Sequence, residues 1–247
     1  MFLKSVKLKK EEITDYSEYP FSIPFIRQMD ELDVDARVTF FVGENGAGKS
    51  TLLEAIADQI GFNPAGGSTQ NYKAYDVDQS ESALGDYVKL SWWPKVTNGF
   101  FLRAETFYQF ASHLDETDQN GYKAYGGKSL HHQSHGESFF SLFQHRFTGQ
   151  AIYLLDEPEA ALSPTRQLAF LTLMNDLVKQ GNVQFIIATH SPILLGFPDA
   201  VIYQFDEHGI EQVKYEETEH YQVTSYFLQH REKMLQDLFE EDEDEPD

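Results

Sequence analysis

The stretch VTFFVGENGAGKSTLLEAIADQIG, residues 38–61, decides how the rest of the chain is read. Val38 to Val42 is a short, continuous apolar run rich in β-formers, the pattern of a strand buried in a parallel sheet. From Thr51 the text turns helical and stops at Gly61, a residue suited to a helix end. Between strand and helix stand Gly43, Glu44, Asn45, Gly46, Ala47, Gly48, Lys49, Ser50 and Thr51. They fit Gly-x4-Gly-Lys-Ser, a phosphate-cradling loop whose strand-before, helix-after context is the one its mechanism requires. Glycines let backbone N–H groups approach phosphate oxygens, and the helix that follows aims its positive end at them. Lys49 then neutralises the β- and γ-phosphates, and the Ser50 hydroxyl ligates Mg2+.

Two further stretches belong with this loop. In IYLLDEP, residues 152–158, a buried strand ends at Asp156, which an open α/β sheet sets beside the phosphate loop. A carboxylate there holds the metal through water, and Glu157, one residue on, is free to polarise an attacking water. In VQFIIATHSP, residues 183–192, another buried strand delivers His190 to the same sheet edge, 33 residues after Glu157. A histidine so placed can hydrogen-bond a γ-phosphate and keep water and glutamate in register.

Taken together, GENGAGKST, LLDEPEAALSP and ATHSP resemble the ABC-type ATPases, and their SMC/RecF/OLD-like branch more than the transporters. The resemblance implies an α/β fold, with a central, mostly parallel sheet flanked by helices and an N-terminal antiparallel strand region. It implies one ATPase domain over residues 1–239, with a signature or helical insertion at about 106–148. It also implies ATP and Mg2+ as cofactors, and head-to-tail dimers that hold ATP between one subunit's phosphate loop and the other's signature motif. The signature falls best on Ser134-His135-Gly136-Glu137-Ser138, with Ser134 and Gly136 as the nucleotide contacts. His135 and Glu137 depart from the family's Ser-Gly-Gly-Gln core. The family's Q-loop glutamine has no clear counterpart; Glu105, as a metal contact, is preferred to Gln109. Ala161-Leu162-Ser163 would be the D-loop, and an aromatic from the Tyr16–Phe25 loop would stack on adenine, with no single residue favoured.

Outside the motifs, residues 1–10 alternate as a half-exposed strand does, and Ile13 to Pro24 and Phe62 to Asp86 read as loop. Strands are expected at Tyr87–Trp93, Gly99–Arg103, Ala151–Leu155 and Val183–Ala188. A further buried strand is expected at Ala200–Phe205, with an exposed one after the turn ending at Gly209. Helices are expected at Phe139–Phe147, Ser163–Gln180 and Tyr221–Phe239. Strand and helix alternate, which means α/β with a parallel sheet.

Composition excludes several functions. The 247 residues carry a formal charge of −21, so strong general nucleic-acid binding is not expected, although Lys4, Lys7, Lys9 and Lys10 leave a local patch open. Seven acids crowd the last eight residues, 240–247, which read as an acidic disordered tail. With no cysteine there are no disulfides, thiolate metal sites or Cys nucleophile, which fits a cytoplasmic protein. No apolar run approaches membrane length, so membrane insertion is not expected. His131, His132 and His135 lack the companion ligands of a zinc site. Hydrolysis of ATP to ADP and phosphate is therefore expected to drive dimerisation and act on an unidentified protein partner. Alternatives are the nucleotide-binding subunit of a membrane transporter, the ATPase switch of a DNA-repair or phage-defence system, and an ATP-binding switch with negligible turnover.

Overall fold

A computed structural model gives the structure and describes residues 1–63, 83–103 and 150–239. The strands are β1 (Leu3–Leu8), β2 (Glu31–Asp33), β3 (Val38–Gly43), β4 (Val88–Trp92), β5 (Gly99–Arg103), β6 (Ala151–Asp156), β7 (Val183–Ala188), β8 (Val201–Asp206) and β9 (Gly209–Val213). The helices are α1 (Pro24–Gln28), α2 (Lys49–Ile60), α3 (Pro164–Lys179), α4 (Pro192–Leu195) and α5 (Glu219–Phe239).

Six strands form the main sheet in the order β5-β6-β7-β3-β8-β9. The first five run parallel, and β9 returns antiparallel along β8. A second, antiparallel sheet of order β2-β1-β4 is the N-terminal strand region expected from the sequence.

Because strand side chains alternate, each apolar strand of the main sheet feeds two cores. One face carries Phe40, Val42, Tyr153, Leu155, Phe185 and Ile187, and packs on Phe170 and Met174 of α3 and Leu194 and Leu195 of α4. The other carries Phe41, Leu154, Ile186 and Phe205, and packs on α2, α1 and the small sheet. Enclosed on that side, α2 buries nine of its twelve residues, the polar Lys49, Thr51 and Glu54 among them, so it is covered nearly all round rather than along one stripe.

The two sheets are fastened by a buried polar residue. The Gln184 side chain on β7 accepts from the Phe2 and Leu3 N–H groups at 2.8 Å each. Its amide donates to the carbonyls of Leu3 at 2.9 Å and Val34 at 2.7 Å. Four bonds satisfy all four of its sites, which removes the penalty of burying a primary amide.

Some elements depart from the sequence reading. Ala83–Tyr87 is a 3-10 helix rather than loop, anchored by the fully buried Leu84 on α2. The strand expected to be buried at Ala200–Phe205 fully buries only Ile202 and Phe205, one toward each core, because β8 lies one strand in from the sheet edge. α1 and β2 carry no sequence signal of their own. The C-terminal helix bends at His230, which leaves helical geometry with φ −129° and ψ 31°. The helix expected at Phe139–Phe147 and the acidic tail lie outside the described residues.

Candidate functional site

Parallel strands present their C-terminal ends together, and in this sheet β3, β6 and β7 deliver Gly43, Asp156 and Ala188 to one edge. Past the strand ends the ladder continues: Glu157 N–H donates to Ala188 O at 2.9 Å, and Thr189 N–H to Phe41 O at 3.1 Å. The three motif stretches, residues 43–51, 152–158 and 183–192, meet there because of this register, not because of sequence proximity.

The loop after β3 needs its glycines. A Cβ on Gly43 (φ +140°) would overlap the Phe205 carbonyl of β8, and one on Gly48 (φ +95°) would run into Phe25 and Ile23. Glu44, Asn45 and Gly46 are exposed and Ala47 is half-buried, so the crest of the loop faces solvent. Lys49 folds back beneath it, with its ammonium donating to the carbonyls of Gly43 and Glu44 at 2.8 Å each. Burial lowers the Lys49 pKa, and the carboxylates of Glu157, Asp156 and Glu159 act the other way. Thr51 is buried in the first turn of α2, where its hydroxyl lies 3.1 Å from the hydroxyl of the exposed Tyr19.

Ser50 and Asp156, 106 residues apart, meet directly: Ser50 Oγ donates to Asp156 Oδ1 at 2.9 Å. Arg103, the last residue of β5 and the register partner of Asp156, approaches its other oxygen at 3.7 Å and pairs with Glu54 at 2.6 Å. Burial nevertheless pushes the Asp156 carboxyl up to about 6, against the Ser50 bond and the Arg103 charge. A hydroxyl and a carboxylate at this separation are the hard oxygen donors that suit Mg2+, which keeps several waters of its own. Among the described residues no group of three or more His, Cys, Asp or Glu could hold a metal ion.

Glu157 sits in the left-handed region, φ 49° and ψ 51°. Such a backbone is costly for a residue with a side chain and clusters at functional positions. His190 faces it, with Nε2 3.6 Å from Glu157 Oε1. The His190 backbone N–H donates to Glu159 Oε1 at 2.6 Å, and its ring Nδ1 lies 2.8 Å from His220 Nε2 on α5. Burial, then the charge of Lys49, lowers the His190 pKa to about 4, so the ring is neutral near pH 7. Beyond it, Ser191 Oγ donates to Gln167 Oε1 at 2.5 Å, and Gln167 Nε2 donates to the Leu162 carbonyl at 3.1 Å. The segment after Glu157 is thereby tied to the segment after His190.

The structure brings together Gly43 to Thr51, Asp156, Glu157 and His190. Glu105 and Gln109, Ser134 and Gly136, and the His131, His132 and His135 cluster lie outside the described residues. Sequence reading missed Arg103, Glu159 and His220, and it reached Tyr19 only as one of several aromatics in the Tyr16–Phe25 loop. Arg103 had a usable signal, since it ends a strand that can lie beside the Asp156 strand; His220 had none.

Comparison with known proteins agrees with this geometry. Residues 21–129 match the family model of the AAA domain, and residues 135–195 that of the AAA ATPase domain. The hemin import ATP-binding protein HmuV of Aliivibrio fischeri is 25% identical over 70% of this chain and 74% of its own length. A protein of Geobacter sulfurreducens described as an ABC transporter ATP-binding protein is 26% identical over 61% of this chain. The match spans 58% of that protein's length. In structure, MJ1267 in its ADP conformation, an ATP-binding cassette of an ABC transporter, superposes with a TM-score of 0.51 at 14% identity, covering 97% of this chain and 100% of that one.

This is the ABC-type P-loop ATPase fold. In this chain the glycine-rich loop follows β3 and leads into α2, and Asp156 ends β6. Among the described residues, no helix is long and apolar enough to cross a membrane.

Proposed function

We propose that the chain binds Mg·ATP at this edge and hydrolyses it to ADP and phosphate, with Glu157 as general base and His190 as its partner at the γ-phosphate. The observation that carries the reading is the convergence of Lys49, Ser50–Asp156, Glu157 and His190 from three separate segments. The N–H groups of residues 44–51 cradle the phosphates, and Lys49 exchanges its carbonyl partners for β- and γ-oxygens. Ser50 and Asp156 hold Mg2+, which supplies charge neutralisation when bound. The Glu157 carboxylate takes a proton from the attacking water, and His190 Nε2 lies close enough to hold that carboxylate and a phosphate oxygen in line. Tyr19, exposed beside the first turn of α2, is the aromatic we assign to adenine.

On the same reading the chain is one ATPase domain over residues 1–239 with an acidic tail, working in the cytoplasm. Ser134 and Gly136 supply the contact in trans, Glu105 or Gln109 the Q-loop contact, and Ala161–Ser163 a D-loop across the interface. ATP then draws two copies into a head-to-tail dimer whose closure acts on a protein partner.

Glu157→Gln tests this. It keeps the shape and the water contact but removes the base, so turnover should fall by roughly 10²-fold or more while ATP binding persists. Light scattering in Mg·ATP should then show a dimer. Wild-type turnover in this variant would remove Glu157 from the mechanism, and a monomer at saturating ATP would remove the shared-site model.

A further inference from the structure

His220 lies outside every motif of the chain, at the first turn of α5, yet its ring reaches the histidine that faces Glu157. Its placement is built. Tyr215 just before α5 donates its hydroxyl to the Pro192 carbonyl at 2.9 Å, two residues beyond His190, and its ring packs at a tilt against Tyr221, centroids 4.7 Å apart. Thr218, fully buried, closes the turn by donating to the Tyr215 carbonyl at 2.7 Å. The start of α5 is thus fixed against the segment that carries His190, and the two imidazoles meet at 2.8 Å with ring centroids 5.0 Å apart.

A contact of 2.8 Å between two neutral rings needs one donor and one acceptor. Burial lowers the pKa of both histidines, so neither is charged near neutrality. Two arrangements are then open. If His190 Nδ1 carries the proton, its bare Nε2 points a lone pair at the Glu157 carboxylate 3.6 Å away and at any phosphate oxygen beyond. If His190 Nε2 carries the proton, that N–H points at the same oxygens and Nδ1 must accept from His220 Nε2–H. Lone pair against carboxylate is repulsive and N–H toward carboxylate is attractive, so the second arrangement wins. His190 Nε2 is buried with no hydrogen-bond partner, which leaves that proton free for a ligand.

We propose that His220 is a positioning residue: its Nε2–H fixes His190 as the Nε2-protonated tautomer, the form that donates to the γ-phosphate and to Glu157. This rests on the assignment of His190 to the hydrolytic site. Outer partners that fix the tautomer of metal-bound histidines are worth roughly 10–100-fold, and an effect at the lower end of that range is expected for His190.

The test combines two readouts on the full chain. Long-range proton–nitrogen correlation spectra of imidazole-15N-labelled protein without nucleotide, with His190 assigned by its loss in His190→Gln, report which ring nitrogen is protonated. Wild type should show His190 protonated at Nε2, and His220→Ala should show a mixture of tautomers. Steady-state phosphate release should fall roughly 10-fold in His220→Ala with ATP affinity unchanged, and His220→Gln, whose amide stands where Nε2 was, should recover most of it. A His190 that is Nδ1-protonated in wild type, or unaltered in His220→Ala, overturns the inference whatever the rates do. If His190→Ala hydrolyses ATP normally, the catalytic assignment of His190 falls and takes the rate effect with it, while the spectra still report on the lock alone. Loss of turnover in His190→Ala together with full turnover in His220→Ala overturns the inference and leaves that assignment standing.

Discussion

Replacing Asp156 with Asn should make the nucleotide-free protein more stable while abolishing its Mg2+-dependent nucleotide binding. Asp156 is 6% exposed, and burial lifts its carboxyl from 3.8 to about 6. An acid with a raised native pKa binds more protons folded than unfolded between those values, so stability falls as pH rises through that window. Above it the full penalty applies, about 3 kcal/mol from the shift itself. Asn removes the penalty and still accepts the Ser50 hydrogen bond, and the attraction of Arg103 is already counted in the net shift. A gain of up to about 3 kcal/mol is expected, or roughly 6–12 °C in Tm for a chain of this length. Thermal unfolding with a chelator present, at pH 7.5 and at pH 4.5, checks both size and sign. The gap between variant and wild type should be widest at pH 7.5 and shrink toward pH 4.5, where wild-type Asp156 is largely protonated. Glu159 and Asp58, also raised by burial, shift both proteins alike and cancel in the difference. An Asn variant no more stable than wild type at pH 7.5, or a gap that widens on acidification, refutes the reasoning.

Lys49→Ala should lose most ATP affinity, since it removes a charge-assisted phosphate contact, and should keep the fold; calorimetric titration with Mg·ATP checks it, with unchanged affinity as the contrary result. Tyr19→Ala should weaken ATP binding by roughly 10-fold, in line with one base–aromatic stack, while Tyr19→Phe stays near wild type. Equal loss in both variants would assign the effect to the hydroxyl bonded to Thr51 instead of the ring.

How far the sequence could be read follows from which signals are local. β5 and β7 run over the residues expected, and β3 and β6 each extend one residue further, to Gly43 and Asp156, where strand gives way to site. Continuous apolar runs announce such strands wherever they fall. The phosphate loop, the acids after β6 and His190 were legible because their spacing along the chain is itself the chemistry. α1 was not, because five residues opened by Pro24 are too few to show a period. β2 was not, because three residues become a strand only when β1 pairs with them. Gln184 reads as a polar residue in an apolar strand until Phe2, Leu3 and Val34 are seen around it, up to 182 positions away. His220 is illegible for the same reason: its partner is 30 residues distant and no motif spans the gap.

Gln184 also sets where the chain can tolerate change. All four of its bonds go to main-chain atoms, so the recognition is indifferent to the side chains at positions 2, 3 and 34, provided these stay apolar enough for the core. At position 184 itself no other residue will serve. Glu would turn an acceptor toward two carbonyls, Asn falls one methylene short, and Leu would strand two N–H groups and two carbonyls in a dry interior. Divergent descendants of this chain could therefore rewrite the N-terminal strand almost freely and still dock it in the same register. That freedom reaches the loop carrying Tyr19, which leaves β1 and returns through α1 to β2. The loop carrying Tyr19 can drift in sequence while one amide, at the end of β7 away from the phosphate loop, keeps β1 in place.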